Sequence, residues 1–119
     1  MHALIVDDDE PSCQLLEKIL KHGGLTADWT TNGHTGLAWS LTQSYDLFLF
    51  DVQMPELSGI DLAAVIKQHQ PMAKIILISA FPCDMYQQIA QTLEVPLLPK
   101  PFSPRNLLAL TSQVLLPGW

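Results

Sequence analysis

Basic residues are scarce in this chain: 6 Lys and Arg stand against 12 Asp and Glu, for a net charge of −6. Phosphate backbones are gripped by basic patches, so the composition argues against direct nucleic-acid binding by this domain. Cysteine is nearly absent. Cys13 and Cys83 lie far apart, in neither a metal nor a redox spacing, which excludes a disulfide framework and points to a reducing, cytoplasmic compartment. Long apolar runs are also missing: the longest hold about five residues, against the ~20 that a membrane-spanning helix needs. No signal peptide is expected, because His2 to Val6 leads straight into Asp7, Asp8, Asp9 and Glu10. Charged residues make up only 15% of the chain and hydrophobic ones 48%, so it can bury a core and is no disordered tail. One domain over residues 1–119 is expected, with no linker or internal repeat.

What is present is a regular alternation of two periodicities. Ala3-Leu4-Ile5-Val6, Leu47-Phe48-Leu49-Phe50 and Ile75-Ile76-Leu77-Ile78 are short apolar runs that predict buried strands. Leu25, Ala27 and Trp29 alternate with polar residues as a second strand, and Val95 to Leu98 predicts a short fifth. Between them lie helical patterns. Pro11 opens a first helix with Asp9 or Glu10 as its cap, and Gly23-Gly24 stops it. Further helices are predicted from about His34 to Gln43, Leu57 to Gln70, Cys83 to Leu93 and Ser103 to Leu116, the last ended by Pro117-Gly118. Five strands carrying apolar runs and alternating with five helices predict a doubly wound α/β domain around a parallel sheet.

In such a sheet, ligands bind outside the carboxyl ends of the strands. Asp7-Asp8, Asp51 and Ser79 end the first, third and fourth strands, and the fifth runs into Lys100. Three carboxylates, a hydroxyl and an ammonium therefore meet at one rim, although they span more than ninety positions of sequence. Clustered carboxylates repel one another unless a cation joins them. A hard-oxygen set of this kind suits Mg²⁺. A carboxylate beside such an ion can attack phosphorus and form an aspartyl-phosphate, with a lysine and a hydroxyl contacting the phosphoryl oxygens. Asp51, Lys100 and Ser79 fit those roles. Singly, an Asp at a strand end is an ordinary cap or turn residue, and a lysine an ordinary surface cation. The conjunction is what carries the reading.

Five motifs add a resemblance over essentially the full length. Leu4-Ile5-Val6-Asp7-Asp8-Asp9, Leu49-Phe50-Asp51-Val52-Gln53-Met54-Pro55, Ser58-Gly59, Ile76-Leu77-Ile78-Ser79-Ala80 and Pro99-Lys100-Pro101-Phe102 occur in order. With them the chain resembles the receiver, or phosphoacceptor, domain of two-component response regulators. The resemblance implies a flavodoxin-like (βα)5 fold with strand order 2-1-3-4-5. It implies Asp51 as the phosphoaspartate, with Ser79 and Lys100 contacting the phosphoryl group. It also implies Mg²⁺, or Mn²⁺ in its place, held by Asp7, Asp8, Asp51 and the backbone carbonyl of Gln53. A cis Lys100–Pro101 bond is implied too. So are a sensor histidine kinase or histidine phosphotransfer protein as donor, and an output domain or downstream protein as target. A homodimer would form through the face of the fourth helix, fifth strand and fifth helix. Such a domain assists its own phosphorylation and dephosphorylation but is not an enzyme in the ordinary sense.

Leu97 departs from the family pattern, which places Tyr or Phe three positions before the lysine. Leucine can pack inward but has no polar ring edge to expose, so output through another element, or relay of phosphate without an aromatic switch, is expected. Gln53 and Phe81 occupy positions that in the family influence phosphoryl loss. Asp9 reads as a helix cap, Cys13 as a packed thiol, and Trp29 and Trp39 as packing residues. His22, His34 and His69 lack zinc spacing and read as surface residues. Trp119 reads as a terminal or contact residue. Two other classes stay in view: a receiver-like interaction module that is never phosphorylated, and an α/β phosphatase or nucleotide-binding protein. No Gly-rich fingerprint follows the first strand, which speaks against nucleotides. The chain stops with the fifth helix, so a stand-alone regulator or a receiver from a longer protein is expected.

Overall fold

A computed structural model describes residues 1–81 and 83–115. The chain alternates without exception: β1 (His2–Val6), α1 (Glu10–His22), β2 (Thr26–Thr30), α2 (Gly33–Thr42), β3 (Leu47–Asp51), α3 (Gly59–His69), β4 (Ile75–Ser79), α4 (Asp84–Leu93), β5 (Leu97–Pro99) and α5 (Pro104–Leu115). The five strands pair in parallel in the order β2-β1-β3-β4-β5, the doubly wound flavodoxin-like arrangement expected. The expected extension of α5 to Leu116, its stop at Pro117-Gly118, and Trp119 lie outside the described residues.

The apolar runs fill both faces of the sheet because a strand turns successive side chains to opposite sides. Ala3, Ile5, Leu47, Leu49, Ile76 and Ile78 face one layer, where Cys13, Leu16, Ile19 and Leu20 of α1 and Leu107 of α5 meet them. Leu4, Val6, Phe48, Phe50, Ile75 and Leu77 face the other, against Leu62, Ala63 and Ile66 of α3 and Ala90 of α4. Trp29 packs against the first layer and Trp39 against the second, as expected. The sequence of steps explains the split. From β1 the chain steps one way to β2 and thereafter always the other way, and right-handed crossovers convert that reversal into opposite faces. The reversal opens a crevice between the carboxyl ends of β1 and β3.

Local chemistry sets most boundaries. Asp9 caps α1, accepting from the Ser12 amide at 3.2 Å and hydroxyl at 2.6 Å, with Pro11 in the first turn. Asn32 caps α2 through the Thr35 amide at 2.9 Å, so that helix begins at Gly33 rather than His34. Ser58 and Asp61 form a reciprocal capping box, which moves the start of α3 from Leu57 to Gly59. The fifth strand begins two residues later than expected. Glu94 takes a left-handed φ of 59° to close α4, and the Val95 amide bonds the Ala90 carbonyl at 3.0 Å. Val95 therefore belongs to the helix stop, and its buried side chain fills the adjacent core layer.

Candidate functional site

Four strand ends deliver the polar residues. Asp7 and Asp8 directly follow β1, Asp51 closes β3, Ser79 closes β4, and Lys100 directly follows β5. Asp7, Asp51 and Ser79 are buried while Asp8 is exposed. One carboxylate oxygen each from Asp7, Asp8 and Asp51 lies within 4.8 Å of the others. It is the one cluster of three or more potential metal ligands among the described residues. His34 instead pairs with Glu56 at 3.4 Å, and the His69 ring contacts the Val65 carbonyl at 3.0 Å.

Lys100 reaches this cluster from β5. Its Nζ donates to Asp7 Oδ2 at 2.9 Å and lies 3.8 Å from Asp51 Oδ2. Its amide donates to the Ser79 carbonyl at 2.7 Å, and the Lys100–Pro101 bond is cis as implied. Asp7 is further held by the Asp9 amide on Oδ1 at 3.0 Å, and Asp51 by the Gln53 amide on Oδ1 at 3.2 Å. Ser79 Oγ accepts the Phe81 amide at 3.0 Å and donates to Gln53 Oε1 at 3.4 Å.

The electrostatics follow from burial. Removal from water, reinforced by the neighbouring Asp7 charge, pushes the Asp51 carboxyl up to about 7 against the pull of Lys100 and the Gln53 amide. For Lys100, burial works to lower the ammonium's pKa. The Asp7 hydrogen bond and the charges of Asp7, Asp51 and Asp9 outweigh it and hold the group above its ordinary value. The cluster thus carries more negative charge than one lysine offsets. An all-oxygen donor set with surplus negative charge is the environment that a hard divalent cation relieves, so the residues present fit such an ion.

All five polar residues singled out at the rim come together. Gln53 joins them by its amide at Asp51 and its side chain at Ser79. Leu97 is half-buried against the α3 and α4 layer, the inward packing expected of it. Two residues already named take roles at the site that the sequence did not assign. The buried Cys13 thiol donates to the Asp7 carbonyl at 3.2 Å, and burial, aided by the Asp7 charge, pushes it up to about 12. Gly59 brings the start of α3 against Asp51: a β-carbon there would lie 2.2 Å from the Asp51 carbonyl oxygen. The Ser58-Gly59 pair was the available signal, since a missing β-carbon beside a cap marks a close approach.

Comparison with known proteins agrees with this geometry. The family model for the response regulator receiver domain matches residues 3–112. The DNA-binding transcriptional regulator NtrC of Salmonella typhimurium is 34% identical over 116 residues, covering 93% of this chain and 24% of its own length. SilR of the same organism, a probable transcriptional regulatory protein by description, is 30% identical over 99% of this chain and 52% of its own length. The chain therefore spans about a quarter to a half of the curated relatives named here. A CheY-like receiver domain protein from Methanospirillum hungatei superposes with a TM-score of 0.90 at 25% identity, over 96% of this chain and 92% of that one. The response regulator TrrA of Thermotoga maritima, solved in complex with Mg²⁺ and beryllofluoride, gives 0.86 at 28% identity, over 95% and 97%. No helix among the described residues is long and apolar enough to cross a membrane. With the acidic pocket at the crevice between β1 and β3, the chain belongs to the response regulator receiver domains of two-component signalling, which are not enzymes in the ordinary sense.

Proposed function

We propose that Asp51 accepts a phosphoryl group from a histidine kinase or histidine phosphotransfer protein, and that residues 1–119 act as one receiver domain in the cytosol. The observation that carries this reading is the convergence of Asp7, Asp8, Asp51 and Lys100 on one pocket, with Ser79 at the adjoining strand end. A carboxylate oxygen of Asp51 attacks phosphorus; the phosphorus–nitrogen bond to the donor histidine breaks, and its electron pair stays on the imidazole. Lys100, 3.8 Å from Asp51, neutralises charge on the phosphoryl oxygens, and the Ser79 hydroxyl donates to one of them. Asp7, Asp8, Asp51 and the Gln53 backbone carbonyl would hold Mg²⁺, with Mn²⁺ as the alternative; the ion would supply the remaining charge neutralisation.

Apolar surface on which a protein donor would dock adjoins the pocket. A cleft of ≈ 470 Å³ beside the pocket is lined by Leu15, Lys100, Pro101 and Phe102, and Leu15 is 53% exposed. Output passes to a downstream protein or an attached domain. A second copy would dock on the face of α4, β5 and α5, while output runs through another element, without an aromatic ring at position 97. The test is incubation with acetyl phosphate and Mg²⁺, followed by intact mass. The expected outcome is gain of one phosphoryl group by the wild type, and none with Asp51→Asn or with chelator. Equal gain by Asp51→Asn would overturn the assignment.

A further inference from the structure

Ser79 ends β4 with its side chain wholly buried, and a buried hydroxyl needs partners for both its lone pairs and its proton. The oxygen accepts the Phe81 amide at 3.0 Å. The proton goes to Gln53 Oε1 at 3.4 Å, and among the described residues the hydroxyl has no other acceptor. Gln53 is also tied to the neighbouring strand end, since its backbone amide donates to Asp51 Oδ1 at 3.2 Å. One residue therefore touches the proposed phosphoacceptor through its main chain and the proposed phosphoryl contact through its side chain.

We infer that Gln53 is a positioning residue: its side-chain amide holds the Ser79 proton in the unphosphorylated domain, and that hold must break before Ser79 can contact a phosphoryl oxygen. This rests on the reading of Asp51 as phosphoacceptor. The two acceptors compete for a single proton. A neutral amide oxygen at 3.4 Å is a weak partner, because hydroxyl hydrogen bonds to oxygen are usually about 2.7–2.8 Å. A charged phosphoryl oxygen is a stronger one. The exchange therefore runs towards the phosphoryl group, against a small opposing contribution set by Gln53. The Phe81 amide, bonded to the same Ser79 oxygen, carries any movement of that hydroxyl into the loop before α4. Phe81 itself is 67% exposed there, so the rearrangement reaches the surface without using position 97.

The test is a double-mutant cycle on full-length chains, read by the affinity of Mg²⁺-beryllofluoride for wild type, Gln53→Met, Ser79→Ala and the double variant. Gln53→Met keeps side-chain length and the backbone carbonyl but removes the amide acceptor. Tightening by roughly two- to threefold is expected, the low end for one neutral hydrogen bond. It should vanish in the Ser79→Ala background. In the free proteins, the Phe81 amide resonance of Gln53→Met should move towards its beryllofluoride-bound position. Unchanged or weaker binding by Gln53→Met overturns the inference, and so does equal tightening without the Ser79 hydroxyl. Wild type that fails to bind the mimic would instead overturn the phosphoacceptor reading, and this inference with it.

Discussion

Replacing Gly59 with alanine sets two effects of opposite sign against each other. Gly59 opens α3, and alanine is the better helix former by about 1 kcal/mol in a helix interior, less at a first position. Packing opposes this. The added β-carbon would stand 2.2 Å from the Asp51 carbonyl oxygen, 2.7 Å from its carbonyl carbon and 3.1 Å from the Phe50 β-carbon. The two closest atoms belong to the backbone of the fully buried β3, so no change of rotamer relieves them. Overpacking costs about 1–3 kcal/mol, and a collision with backbone belongs at the upper end. The net expectation is a loss of about 2 kcal/mol. For a urea slope of roughly 1–3 kcal/mol per molar, the unfolding midpoint falls by about 1 M. The clash can relax only by parting α3 from the strand end that carries Asp51. Ångström-scale misplacement of a reacting group can cost about a hundredfold, so Mg²⁺-beryllofluoride binding should weaken by at least about tenfold. Gly24→Ala is the matched control. Gly24 has a φ of +87° and nothing within 4 Å of an added β-carbon. That variant should lose about 1–2 kcal/mol to left-handed strain and keep wild-type binding, because it lies at the opposite end of the sheet. If Gly59→Ala unfolds within about 0.5 kcal/mol of wild type, or binds the mimic as wild type does, the close-approach reasoning is refuted.

Two further outcomes follow from buried titrating groups. Burial and the Asp7 charge raise Asp51 to about 7 in the folded, metal-free domain, whereas an unfolded Asp titrates at about 3.9. Between those values the folded state binds more protons, so the Asp51 contribution to stability declines as pH rises from about 4 to about 7, then levels off. Metal-free Asp51→Asn should therefore gain on wild type across that window in thermal unfolding with chelator; a pH-independent difference would contradict this. Cys13 is buried and pushed up to about 12, and Cys83 is exposed. Iodoacetamide at about pH 8 should label one thiol in the native chain and both in denaturant, since only the thiolate reacts. Rapid native labelling of Cys13 would show that α1 does not protect it.

The legible part of the site rests on a simple rule: strand ends are marked by where an apolar run meets a polar residue. Asp51 closes β3 and Ser79 closes β4 as the sequence indicated, and Asp9 caps α1. The start of β5 was not legible, because Val95 is as apolar as a strand residue. Only the left-handed turn at Glu94 assigns it to the helix stop. Nor was the chief partner of Lys100. The family resemblance implies a contact with a phosphoryl group on Asp51, whereas the shorter contact of Lys100 is Asp7, at 2.9 Å against 3.8 Å for Asp51.

By itself, the amino-acid sequence determined the alternation of strands and helices, the parallel two-sided sheet and the set of residues at its rim. Each of these follows from local patterning: apolar runs, caps and the polar residue after each strand. The tertiary structure decided which of those residues touch. It alone paired Lys100 with Asp7 across 93 positions of chain, Ser79 with Gln53, and Gly59 with the Asp51 backbone. Those contacts depend on strand register and on how closely α3 packs to β3. Both are set by side chains from distant segments filling a shared core, and no local window contains that information.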